Sequence, residues 1–318
     1  MTRPTLPMAH APTLTSSGFS WLELTLDYRC NLRCVGCRAC LGEGDSMTRN
    51  QMAKWLAWGR RQGISSLWIG GGEPTLRDEL PALIQSARRA EYDTVLVQSN
   101  GLRLSYQAYA AALVKAGLTH VRLNVKSADP VLHDTLSGRP GTLSLVWQAM
   151  DHLRALGVSI AIDVLLTTET IDGLAETIET AASKGARSAM LWLLSAHESD
   201  EPEVLSRVPK LSLVAESLER AGRVAGRLGF EIQSLHTPAC TLPSTLRSLI
   251  TPAASLKLLV ANPAPEGMPI RAFKLEESPI EGGAFLEGCA DCRERPSCSG
   301  PRADYLAAYG PDEFRPIG

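Results

Sequence analysis

Short runs of leucine and β-branched residues alternate with amphipathic stretches of helical length through the first two thirds of this 318-residue chain. That rhythm constrains the fold more than any other feature. Strands are predicted at 21–26 (WLELTL), 65–70 (SSLWIG), 94–99 (TVLVQS), 120–125 (HVRLNV), 159–166 (SIAIDVLL) and 188–194 (SAMLWLL). Between them, apolar residues recur near every 3.6 positions over 48–62, 77–90, 105–116, 142–156 and 172–184, which predicts helices. Several of these segments stop at glycine, as in RRQG, VKAG, RALG and ASKG, the residue that most easily takes the left-handed backbone after a helix. Successive βα units require crossover connections and give an α/β fold, a parallel sheet with helices outside, either doubly wound or an open barrel.

The pattern changes after Leu194. SAHESDEPEVLSRVP reads as a linker, a helix follows at about 211–228, and FEIQSL is a short strand. The tail from Pro238 is rich in Pro and Gly, and within it LKLLV (256–260) and PIRAFKLE (269–276) are predicted as an antiparallel pair joined by ANPAPEGM. A boundary is expected near residue 200, dividing a unit over 21–200 from one over 201–318. Residues 1–20 are rich in Pro, Thr and Ser without an apolar core, so a disordered leader is expected and no signal peptide. No stretch approaches the roughly 18 apolar residues of a membrane span. The net charge of −2 gives no reason to expect nucleic acid as a partner. A cytoplasmic location is expected, where clustered cysteines point to metal or catalysis rather than to disulfides.

Half of the eight cysteines fall between Cys30 and Cys40, in DYRCNLRCVGCRACLG. Cys30, Cys34 and Cys37 have the spacing C-x3-C-x2-C just after the first strand. Thiolates so spaced can wrap one iron–sulfur cluster; taken alone, the triplet serves equally as a zinc loop or as reduced bystander thiols. After the second strand stands GGGEPTL, Gly70 to Leu76. Glycines there let the backbone approach a ligand closely, and the Glu73 carboxylate can accept hydrogen bonds from an ammonium group. In a βα barrel the strand ends of one polarity meet at one mouth, so the cysteine loop and Glu73 are expected on one rim.

Cys30, Cys34 and Cys37 taken with Gly71, Gly72, Glu73 and Pro74 resemble the radical S-adenosylmethionine (SAM) superfamily, over roughly residues 20–195. The resemblance implies a partial (β/α)6 TIM-like barrel and a [4Fe-4S] cluster on the three cysteines. It further implies SAM chelating the open iron, Glu73 contacting its amino group, and a 5′-deoxyadenosyl radical that abstracts hydrogen from a substrate. An electron donor such as ferredoxin or flavodoxin is implied as a partner. Three departures stand out. Gly36 occupies the position before the third cysteine, where the family usually has an aromatic residue, so another residue must cover the adenine. In VRLNVKSADPVLHDTLSGRPGT, Asn124 replaces the family's serine, and Lys126 with Ser127 replaces Asp-Gly. Asn124 is expected to bond a ribose hydroxyl or the SAM carboxylate. Lys126 is expected to hold a carboxylate or polarise the substrate, with a solvent-facing lysine as the alternative. Cys40 lies outside the triplet; a spare thiol and a substrate-facing hydrogen donor are the alternatives to its having no role, which is the preferred reading. In QSNG, Gln98 and Ser99 are candidates to face the methionine moiety of SAM, whereas Asn100 and Gly101 read as turn formers.

Cys240, Cys289, Cys292 and Cys298 form a second set. Together with the strand pair and the closing RADYLAAYG they resemble the shortened auxiliary-cluster (twitch, SPASM-like) domain of many radical SAM enzymes. This implies a small C-terminal α+β domain and one further, fully ligated [4Fe-4S] cluster, used for electron transfer or support; a four-cysteine zinc site fits the same spacing. His133 is expected to pack or cap, His197 and His236 lie in linkers, and Trp192 is expected in the core. The leading expectation is an enzyme that modifies a ribosomally made peptide by crosslink, thioether or epimerisation. About twenty residues precede the first strand, so a separate leader-peptide recognition protein is expected, or recognition by the barrel itself. The alternatives are a small-molecule enzyme of cofactor or antibiotic synthesis and a non-catalytic iron–sulfur or zinc scaffold.

Overall fold

The structure is a computed structural model that describes residues 18–37, 45–196, 202–265, 271–278 and 283–318. Six parallel strands lie in chain order: β1 (Trp21–Thr25), β2 (Ser66–Gly70), β3 (Thr94–Ser99), β4 (His120–Asn124), β5 (Ser159–Leu166) and β6 (Ala186–Leu193). Each pairs with the next one in sequence, without the reversal of a doubly wound sheet. The crossovers are α1 (Arg49–Arg61), α2 (Leu80–Arg89), α3 (Gln107–Ala116), α4 (Pro130–Ser137) with α5 (Thr142–Ala155), and α6 (Leu174–Ser183). This is the mixed α/β architecture of a partial TIM-like barrel. The helix α4 was not expected, although its signals are plain: Asp129 caps it by accepting from the Val131 and Leu132 amides, Pro130 opens it, and Gly138 ends it with a left-handed backbone.

Beyond residue 200 come α7 (Pro202–Leu205), inside the segment read as a linker, α8 (Leu211–Leu228), β7 (Glu231–Leu235), β8 (Leu258–Asn262), β9 (Arg271–Lys274) and α9 (Ala303–Tyr309). Their strands extend the barrel sheet instead of making one of their own. The strand β7 pairs in parallel with β6, β8 pairs in parallel with β1, and β9 lies antiparallel to β8, giving the order β7-β6-β5-β4-β3-β2-β1-β8-β9.

Period-two alternation sorts the strand side chains onto two faces. Leu22, Leu24, Leu67, Ile69, Val95, Val97, Val121, Leu123, Ile160 and Ile162 turn towards the helices and form the main core, each worth about 1.5–3 kcal/mol over exposure. The concave face carries Trp68, Leu96, Met190, Leu235, Leu258 and Val260, with Trp21 and Trp192 packed against them. Trp192 is thus a partly exposed residue of the inner wall, not a member of the main core. Among the described residues no helix is long and apolar enough to cross a membrane.

Candidate active site

The register of β1 with β2 sets Thr25 level with Gly70, so the loops leaving both strands emerge side by side. They are bonded to each other. The Gly72 amide donates to the Asp27 carbonyl at 2.8 Å, and the Glu73 amide donates to the Arg29 carbonyl at 2.8 Å. The glycines are needed for this approach. Gly71 has φ +119°, and a Cβ there would lie 2.5 Å from the Asp27 carbonyl oxygen; at Gly72 it would lie 2.1 Å from that of Arg29. These glycines therefore admit the cysteine loop, where the sequence suggested a ligand alone. Arg77 pins the two ends of that loop: its guanidinium donates to the Leu26 carbonyl and Asp27 carboxylate at one end and to the Met47 carbonyl at the other.

Glu73 is wholly buried. Its Oε1 accepts from the Thr75 amide (3.0 Å), the Thr75 hydroxyl (2.6 Å) and the Ser99 hydroxyl (2.9 Å), and its Oε2 from the Asn100 amide (2.7 Å). Burial raises its pKa, against the pull of these four bonds. The carboxylate thus ties the turn of Pro74–Leu76 to the end of β3, and of its two oxygens Oε2 carries the single donor. Ser99 serves Glu73 and does not face an open site. Asn100, read as a turn former, does more: its side-chain Nδ2 donates to Asn31 Oδ1 at 2.7 Å and to the Cys30 sulfur at 3.9 Å.

Cys30 and Cys34 are half-buried and Cys37 is exposed; burial is the main cause raising the first two thiols. The Cys37 amide donates to the Cys34 carbonyl across a tight turn in which Gly36 takes φ +71°. A Cβ on Gly36 would lie 3.0 Å from the Leu194 side chain. Leu194, at the end of β6, thus occupies the space beside the position where the family has its aromatic residue. The loop also leans on the end of α4, where the Val35 amide donates to the Leu136 carbonyl. Cys40 lies outside the described residues.

Lys126 is 6% exposed, so the solvent-facing alternative is excluded. Its ammonium donates to Asn124 Oδ1, and it lines a small crevice with Val35 and Leu194; its charge works against the burial that raises the Cys34 thiol. His133 accepts from the Lys126 amide at 3.2 Å, and burial followed by the Lys126 charge holds it down at about 4. Gln98 lies along the inner wall: Oε1 accepts from Trp68 Nε1 and Nε2 donates to Asp163 Oδ2 at 2.7 Å. Asp163 also accepts from Arg122 (3.1 Å) and Trp192 Nε1 (3.0 Å). Glu23, Arg122 and Asp163 were missed in the sequence, although charged residues inside apolar strands mark a polar inner wall.

The second cysteine set also converges. Cys240, Cys289, Cys292 and Cys298 line one cavity of about 90 Å³, walled further by Phe285, Leu286 and Phe314. The Gly300 amide donates to the Cys298 sulfur at 3.2 Å and the Ile317 amide to the Cys292 sulfur at 3.3 Å. Burial pushes the Cys240 thiol up to about 11 and raises Cys298. Among the described residues no three His, Cys, Asp or Glu side chains meet around the position of a single metal ion. His197 lies outside the described residues, and His236 packs its ring against Trp192.

Comparison with known proteins agrees with this arrangement. The sequence profile of the radical SAM superfamily matches residues 25–181. A probable GTP 3′,8-cyclase of Sulfolobus acidocaldarius is 30% identical over 166 residues, 51% of this chain and 52% of that protein. The PqqA peptide cyclase of Ruegeria pomeroyi is 28% identical over 190 residues, 59% of this chain and 50% of that protein. The chain therefore spans about half the length of the curated relatives it matches. Among solved structures, Streptococcus suis SuiB bound to the precursor peptide SuiA superposes with a TM-score of 0.67 at 14% identity, covering 94% of this chain and 75% of that one. A likeness this distant bears on the fold alone. Methylornithine synthase gives a TM-score of 0.54 at 12% identity, covering 91% and 86%. Residues 25–181, with the cysteine triplet and the glycine–glutamate turn on one rim, match the radical SAM superfamily.

Proposed function

We propose that Cys30, Cys34 and Cys37 ligate a [4Fe-4S] cluster with one open iron for SAM, and that Cys240, Cys289, Cys292 and Cys298 ligate an auxiliary [4Fe-4S] cluster. The observation that carries the first assignment is the pair of backbone bonds between the cysteine loop and the Gly71–Gly72–Glu73 turn. They hold the cysteine loop and the glycine–glutamate turn together. Support for the second is the single cavity lined by all four thiols, with backbone amides aimed at two of the sulfurs, an arrangement that stabilises thiolate ligands. When bound, the reduced cluster and SAM supply a 5′-deoxyadenosyl radical for hydrogen abstraction. The chain's own residues orient and hold. Lys126 offers its ammonium to the SAM carboxylate, beside Asn124. Glu73 holds the turn rigid through Ser99 and Asn100. Leu194 takes the place of the missing aromatic cover over the adenine. The strands β7, β8 and β9 extend the sheet at both edges, and the four thiols of this half carry the auxiliary site.

The substrate we assign is a ribosomally made peptide. The support is the likeness to SuiB with its bound precursor peptide, which reaches past residue 200 to cover 94% of the chain, and the PqqA peptide cyclase match. The GTP 3′,8-cyclase match favours a small-molecule substrate instead. Anaerobic reconstitution should give about eight irons per chain, the count for two clusters; four irons with one zinc would remove the auxiliary cluster. Protein loaded with both clusters should release 5′-deoxyadenosine from SAM with dithionite, and no release would remove the radical reading. A short precursor-like reading frame beside the gene supports the peptide; sugar or nucleotide enzymes there support the small molecule.

A further inference from the structure

The inner wall below the glycine turn carries two carboxyls and one cation. Asp163 is fully engaged: it is 1% exposed and takes donors from Arg122, Gln98 and Trp192. Glu23, on β1 across the barrel, is not. Among the described residues its carboxyl makes no hydrogen bond and no ion pair, while every polar side chain beside it is paired to another. It is partly exposed. Gly70, at the end of β2, leaves it uncovered: a Cβ there would lie 3.1 Å from Glu23 Oε1 and 3.5 Å from Gln98 Oε1. The glycine that begins the cofactor turn thus opens onto Glu23 from above.

We propose that Glu23 is a specificity-determining residue on the floor of the barrel, and that the substrate group it receives is a cation, an ammonium or guanidinium. The inference rests on the barrel being the substrate chamber of a radical SAM enzyme, and it narrows the class of substrate. The charge count favours a cation. Arg122 already neutralises Asp163, so the Glu23 carboxyl keeps its proton beside a neutral or anionic substrate, and only a cation compensates its ionised form. Burial and then the Asp163 charge hold Glu23 at about 7, so an arriving cation takes the place of the proton, and its binding strengthens as pH rises.

The test uses the holoenzyme with both clusters and SAM, and three probes: the N-acetyl methylamides of lysine, arginine and norleucine, titrated by ligand-observed NMR. At about pH 8 the lysine and arginine probes should bind about tenfold more tightly than norleucine, narrowing to about threefold or less near pH 6 as Glu23 is protonated. Glu23→Gln should remove the preference at both pH values. The wild-type pH dependence stands on its own if that variant folds poorly. Equal binding of norleucine and lysine probes at about pH 8 by the wild type overturns the proposal. So does a loss of SAM affinity in Glu23→Gln, which would assign Glu23 to the cofactor. A wild type that releases no 5′-deoxyadenosine overturns the radical reading instead, and the two failures are separable.

Discussion

Two buried charges decide most of the chemistry at the scale of single residues. Lys126 keeps an ammonium 94% hidden with one neutral acceptor, Asn124, and no carboxylate within ion-pair distance among the described residues. Such a charge is costly until a counter-ion arrives. Lys126→Met should therefore do two opposite things: weaken SAM binding by about 10–100-fold, the worth of a charged hydrogen bond, and raise the denaturation midpoint of the SAM-free protein. A fall in both would make Lys126 a structural residue only. Glu23 gives a second signature. Its pKa rises from 4.5 to about 7 on folding, so between those values the unfolded chain is ionised while the folded one holds its proton, and stability is lost as pH climbs through that window. Glu23→Gln should leave the midpoint unchanged near pH 4 and raise it near pH 8, by up to about 3 kcal/mol; an equal effect at both values would contradict the shift. Little of this was legible in the sequence. Lys126 stood out as a departure from the family pattern, but its burial depends on Val35 and Leu194, which lie far from it in the chain. Glu73 was found by motif, while its four donors come from two separate turns.

At the scale of elements the local signals were strong. Strands 94–99 and 159–166 and the helix 211–228 stand where the sequence puts them, because leucine and β-branched runs of strand length mark the first two and a one-sided apolar pattern marks the helix. The helix α4 was lost in the reading because its residues were taken for a motif. His133 and Asp134 in fact serve structure: His133 accepts from the Lys126 amide, and Asp134 bonds the Gly141 and Leu143 amides and the Thr142 hydroxyl at the start of α5. The pairing of the glycine turn with the cysteine loop could not be read at all, since spacing along the chain carries no information about which backbone a glycine admits. It yields a sharp prediction. Gly72→Ala sets a methyl 2.1 Å from the Arg29 carbonyl oxygen, and backbone on both sides leaves nothing flexible to move. The loops must part, breaking the Gly72 and Glu73 amide bonds. Reconstituted protein should then lack about one cluster's worth of iron and release no 5′-deoxyadenosine, whereas Pro74→Ala, which keeps both amides, should retain the iron. Full iron and activity in Gly72→Ala would mean that the two loops are not packed as described.

The whole molecule is less divisible than its sequence. A change of composition near residue 200 suggested two units, yet β7 and β8 continue the sheet at opposite edges. The segment carrying three of the auxiliary cysteines is also anchored to the barrel rim. Arg302, four residues after Cys298 and 5% exposed, donates to the Leu193 carbonyl at 3.0 Å and to that of Leu194, and pairs with Asp304 at 3.2 Å. Asp304 in turn accepts from the Ala196 amide at 2.7 Å. One buried arginine thus connects the wall of the four-cysteine cavity to the residue that sits over Gly36 in the cluster loop. Arg302→Met would take this donor from the Leu193 and Leu194 carbonyls and leave the buried Asp304 carboxylate without its counter-ion, at a cost of about 3–5 kcal/mol. The expected result is a lower denaturation midpoint together with loss of auxiliary iron, from about eight towards about four per chain. The SAM-dependent signal should weaken as well, because Leu194 loses its tether. If the auxiliary iron falls while SAM cleavage holds, the two sites are independent despite the shared sheet. If the midpoint does not move, Arg302 is not the fastening that its burial and bonds make it.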